Sequence, residues 1–246
     1  MGIYGMAVIA TITATFLGGW IAFRLANPEH KSAAVLVFLV ALPLQPLAFY
    51  LVRIPLLGWL RDLLVPGFAT IAVALLMAPV TEEPAKWLVL LSDRFRRAIT
   101  SGSTMGMAMA AGLGFGVGEI WFVAEQAARL PEVQSAPFYQ FWGFLIERVS
   151  ACLLHGLFLV PLFYTIATGG NVVMGGLLGM GAHLLLNAPI PAMQADLFSL
   201  GQARWLALLM FWPPAAVAGG LYLVHRLSGG KLFRTRRAQY GREATP

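Results

Sequence analysis

Apolar residues along this chain fall in blocks of about twenty, the length a helix needs to cross ~30 Å of hydrocarbon. Seven blocks can be drawn, at roughly 3–25, 33–52, 64–91, 104–127, 140–167, 171–190 and 203–225. The joints between them are polar or turn-rich, among them Asn27-Pro28-Glu29-His30-Lys31, Asp93-Arg94-Phe95-Arg96-Arg97 and Thr168-Gly169-Gly170-Asn171. Most are too short to hold a soluble domain. The pattern predicts an all-α fold, a polytopic transmembrane helix bundle of about seven spans. It forms one helical domain over residues 1–227, followed by a basic tail over 228–246 that lies on the membrane surface or is disordered.

Composition narrows the class. Of 246 residues, 59% are hydrophobic and 11% charged, whereas a soluble domain carries about a quarter charged residues. Soluble enzyme classes are excluded. The net charge of +6 does not point to nucleic acid, because the lysines and arginines cluster at the ends of apolar blocks. Twelve of the seventeen fall on the side of the tail, with Lys86 included, and five on the other, Arg53, Arg61, Arg129, Arg148 and Arg204. The positive-inside rule then predicts an outside N-terminus and a cytoplasmic C-terminus. Trp20 and Trp87 near one face, with Trp59, Trp142 and Trp205 near the other, read as aromatic belts. The lone Cys152 has no disulfide partner in the chain and reads as a small buried hydrophobe. The first 25 residues lack a basic leader and read as a retained span.

Ionisable groups in hydrocarbon are costly and mark pathways or reaction sites. Four of the eleven acidic residues, Glu82, Glu83, Glu119 and Glu147, lie inside expected spans, as do His155 and His183. Glu82 and Lys86 are four residues apart, in the favoured order for a helical ion pair. Pro84 between them deprives the helix of one N–H. Span four holds two overlapping GxxxG pairs, Gly112 with Gly116 and Gly114 with Gly118, which let another helix approach closely. Packing explains the glycines but not Glu119, ~22 Å into the membrane from Thr104 at the helical rise. Arg148 and His155, seven residues apart, face the same way, and Arg148 either neutralises a buried glutamate or snorkels outward. Span six places Gly176, Gly179, His183 and Asn187 on one stripe. Measured from the cytoplasmic ends of their spans, Glu82, His155 and His183 lie at ~16, ~20 and ~18 Å, so one midplane site is expected.

Carboxylates and imidazoles in a semi-dry cavity suit hydrolysis. A glutamate can take a proton from attacking water, with His183 and Asn187 stabilising the oxyanion. Alternatively two histidines and a carboxylate, His155 and His183 with Glu119, bind a metal such as zinc that activates water. The sequence contains no HExxH and no GxSxG.

Taken in order, Glu82-Glu83-x-x-Lys86, Gly114-Phe115-Gly116-x-x-Glu119, Arg148 with His155, and His183-x-x-x-Asn187 resemble the PrsW-type intramembrane proteases. These belong to the superfamily of CAAX prenyl endopeptidases and bacteriocin-immunity-type proteins. The resemblance covers spans three to six. It implies hydrolysis of peptide bonds in membrane-anchored protein substrates, in a bacterial cytoplasmic membrane. The site residues it implies are Glu82, Glu83, Glu119, His155 and His183, supported by Asn187. Ile120 and Leu159 stand where relatives often carry Asn and Thr. Two other readings stay open on the residues: a non-catalytic relative that packs against partner helices or lipids, and a proton-coupled carrier.

Overall fold

Away from water, a backbone must satisfy its own hydrogen bonds, and a helix does so within one segment. The computed structural model describes residues 2–61, 68–194, 202–230 and 232, and among these there are helices and turns but no strand. In chain order the helices are α1 (Ile3–Leu25), α2 (Lys31–Ala41), α3 (Leu44–Leu47), α4 (Ile54–Arg61), α5 (Phe68–Trp87) and α6 (Asp93–Ala98). They continue with α7 (Thr104–Ala128), α8 (Pro131–Ser135), α9 (Trp142–Thr168), α10 (Val172–Asn187), α11 (Pro189–Gln194) and α12 (Gln202–Leu227). Most of the predicted tail lies outside the described residues.

Among the described residues, five helical runs are long and apolar enough to cross a membrane: Ile3–Leu25, Pro28–Leu60, Thr104–Ala128, Phe138–Thr168 and Ala207–Leu227. The two expected spans outside this set are those that carry Glu82, Glu83 and Lys86, in α5, and His183, in α10. α10 has 16 residues, about 24 Å at the helical rise, and the chain then breaks at Pro189 into α11. The second run is longer than the sequence pattern suggests. It bends through Pro43 and Pro46 into a π-helical turn, Ala48–Arg53, before α4. Large apolar side chains face outward along α1 and α12, including Phe16 and Phe211. In water such a surface would be a liability; against lipid it is the expected one.

α7 is the central helix and packs on α9, α1 and α2. Its two GxxxG pairs serve different neighbours. A Cβ at Gly112 would lie 2.0 Å from the Gly156 nitrogen, and one at Gly116 would lie 2.6 Å from Cys152 Cα, both on α9. The other pair faces the second run: Cβ atoms at Gly114 and Gly118 would meet the carbonyl oxygens of Phe38 and Leu42 at 2.1 and 2.2 Å. Gly179 likewise brings α10 onto the Phe158 carbonyl of α9. Cys152 is buried in this seam. Of the five belt tryptophans, Trp205 is buried and the half-buried Trp87 packs its ring on Gly176. These close approaches draw α5, α7, α9 and α10 together, and those helices carry the polar side chains.

Candidate functional site

Adjacent helical residues point 100° apart, so Glu82 and Glu83 on α5 face different neighbours. Glu82 turns to Arg53, whose Nη2 donates to Oε1 at 2.5 Å. Arg53 also reaches the Thr81 hydroxyl at 3.1 Å, while that hydroxyl donates to the Met77 carbonyl at 2.6 Å. Glu83 turns inward. Its Oε1 accepts from Lys86 Nζ at 2.5 Å and from His183 Nδ1 at 2.6 Å. The expected Glu82–Lys86 pair is therefore replaced by Glu83–Lys86. On a helical wheel Lys86 lies between the two glutamates, 40° from Glu82 and 60° from Glu83 at ~100° per residue, and tertiary neighbours make the choice. Arg53 occupies Glu82, and His155 waits on the other side of Lys86.

From Lys86 the polar contacts continue across α9 to α7. Lys86 Nζ lies 3.1 Å from His155 Nδ1, and His155 Nε2 lies 2.9 Å from Glu119 Oε2. Arg148 Nη1 stands 3.2 Å from the same Glu119 oxygen without meeting hydrogen-bond geometry, and its other nitrogens donate to Glu147. Arg148 thus pairs with a partly buried glutamate, one of the two roles the sequence allowed. Aromatic rings fix the imidazoles. Phe158 stacks on His183 with centroids 4.8 Å apart, and Phe115 meets His155 edge-on at 5.0 Å. Lys86, fully buried, lies 5.2 and 5.5 Å from the Phe115 and Phe158 ring centroids.

The donors decide the tautomers. An ammonium can only donate, so the Lys86 contact makes His155 Nδ1 an acceptor, and Nε2–H donates to Glu119. A carboxylate can only accept, so His183 carries its proton on Nδ1, toward Glu83. In the neutral imidazole Nε2 is then a lone pair, 3.9 Å from Glu82 Oε2. A neutral His183 therefore turns an acceptor toward Glu82.

A cavity of about 530 Å³ opens on one side of this network. Arg53, Glu82, Glu119, Arg148, His155, His183 and Asn187 all line it, while Glu83 and Lys86 are not among its lining residues. The rest of the wall is mostly apolar, with Leu154 and Phe158 from α9 and Trp212 from α12. Five of the six expected site residues thus reach one cavity, and Glu83 supports it from behind. Ile120 and Leu159 are fully buried in apolar clusters, so the departures at these positions take no polar group from the wall. Arg53 is the site residue that the sequence reading missed, having been assigned to orientation. Its signal was a charge inside the unbroken apolar run Leu51-Val52-Arg53-Ile54.

Glu82, His155 and His183 each offer an atom within 4.8 Å of the others, a group that could hold a metal by proximity. It differs from the expected Glu119, His155 and His183 in its carboxylate, because Glu119 is held between His155 and Arg148. Zinc needs a lone pair from each imidazole. His183 Nε2 and Glu82 Oε2 meet that demand. His155 does not: one nitrogen faces the Lys86 ammonium and the other carries the proton given to Glu119. As hydrogen-bonded, the donor set does not fit a metal.

No protein family, curated protein or solved structure matches this chain.

Proposed function

We propose that this protein is an intramembrane endopeptidase, akin to the PrsW-type proteases its motifs resemble, in which Glu82 activates the attacking water. The observation that carries the reading is the pair of acceptors on the cavity wall, Glu82 Oε2 and His183 Nε2, 3.9 Å apart. One water can donate an O–H to each. As its oxygen adds to a scissile carbonyl carbon, Glu82 takes the proton. The amide of Asn187 and the guanidinium of Arg148 line the same cavity and are the donors for the oxyanion. The carbon–nitrogen bond then breaks, and Glu82 passes the proton to the departing nitrogen. Glu83 holds His183 in the acceptor tautomer, and Arg53 holds the other oxygen of Glu82.

The apolar wall supports a membrane-spanning substrate over a soluble one. On this reading α5 and α10 complete the bundle at seven spans, their polar residues turned inward. Arg53, Arg148 and Lys86 belong to the site and not to the topology count. Without them eleven basic residues stand against three, which favours a cytoplasmic C-terminus. The test is purified protein in proteoliposomes with membrane-spanning peptides. The wild type cleaves and Glu82→Gln does not, with both equally folded by circular dichroism. Undiminished cleavage by Glu82→Gln overturns the assignment.

A further inference from the structure

Lys86 is out of place in a simple hydrolytic site. It is fully buried, does not itself line the cavity, and lies between a glutamate and a histidine that each have another partner. Its ammonium is the cation nearest the buried Glu83 carboxylate, 2.5 Å from Oε1. A lysine ammonium has three donors and no lone pair. One donor satisfies Glu83, and another can be received by His155 only through the unprotonated Nδ1.

We infer that Lys86 is a tautomer lock that shuts a latent divalent-metal site formed by Glu82, His155 and His183. The geometry is otherwise favourable to a metal. The three ligand atoms lie within 4.8 Å of one another and all three residues are buried. His183 donates its other nitrogen to a carboxylate at 2.6 Å, the supporting arrangement that metal-bound imidazoles use. What is missing is a lone pair from His155 on the cavity side. Lys86 keeps the proton on Nε2, and Glu119 receives it at 2.9 Å. Replacing Lys86 by a side chain without donors frees Nδ1 to carry the proton and turns Nε2 into a ligand. The lysine in the Glu82-Glu83-x-x-Lys86 motif therefore selects between two kinds of water activation on one scaffold. The inference rests on the proposed peptidase for this meaning, yet its test contains no peptide cleavage, so either can fail alone.

Two measurements on tag-free protein in nanodiscs test it. In the wild type, nitrogen NMR of labelled histidines, with His155→Gln to assign the signal, reads which ring nitrogen bears the proton. The lock predicts Nε2–H at His155; a proton on Nδ1 overturns it. Titration with cobalt or zinc then compares the wild type with Lys86→Met and with Glu83→Gln/Lys86→Met, which removes both buried charges and keeps an acceptor for His183. The expected result is metal affinity roughly 10–100-fold tighter in the variants, the range that partners of metal ligands command, and lost again when His155→Gln is added. Equal affinity in wild type and variants overturns the lock, as does a gain that persists without His155. Should both lysine variants misfold, the tautomer reading on the wild type decides.

Discussion

Glu82 lies on the cavity wall, bound to Arg53 from a distant helical turn and facing Nε2 of His183 at 3.9 Å. Glu83, the next residue, lies behind the wall with Lys86 and the protonated edge of the same imidazole. Both carboxylates are almost completely buried, so burial does not distinguish them. Their partners do. The front carboxylate gives one oxygen to Arg53 and sits on the cavity wall, whereas the rear one gives a single oxygen to two donors. A helix that places consecutive residues 100° apart therefore puts one carboxylate on the cavity wall and the next behind it.

The sharpest way to break this comparison is to neutralise each carboxylate side in turn. Glu82→Gln should lower cleavage by roughly 10²–10⁴-fold, the usual worth of a general base, while leaving denaturant unfolding in micelles near the wild type. Lys86→Met should do the converse first, destabilising the fold by about 3–5 kcal/mol because it strands a buried carboxylate. Much of that loss should return in Glu83→Gln/Lys86→Met, and a double-mutant cycle reads the coupling. Arg53→Gln removes a hydrogen bond to a charged group, worth about 1.5–3 kcal/mol. Because that bond holds the front carboxylate, kinetics should fall by roughly 10–100-fold with a smaller change in unfolding. Gly112→Ala acts on the seam that sets Glu119 against His155. It should cost about 1–3 kcal/mol of overpacking, whereas Gly181→Ala, with nothing within 4 Å of the new Cβ, should stay within about 0.5 kcal/mol.

Much of the site was legible because the membrane makes charge scarce. Glu82, Glu119, His155 and His183 stood out as ionisable residues at matching depth, and the structure places all four on one cavity. The two glycine pairs of α7 predicted a close helix, although not that each pair would serve a different neighbour. What stayed hidden depended on lateral position, which depth alone does not contain. Arg53 looked like a topology charge because its partner lies 29 residues away on another helix. Lys86 was free on the wheel to choose either glutamate, and neighbours contributed by three other segments decided. The sequence draws seven spans where the described residues hold five long apolar runs, because α5 carries Glu82, Glu83 and Lys86 and α10 has 16 residues before the break at Pro189.

The central claim is that the front carboxylate, Glu82, activates water against a peptide bond. Its most direct test is mass spectrometry of membrane-spanning peptides incubated with proteoliposomes in heavy-oxygen water, using the wild type and Glu82→Gln in parallel. The account predicts one heavy oxygen in each new carboxyl terminus made by the wild type, and no such product from the variant. Labelled product formed at the same rate by both proteins would contradict it.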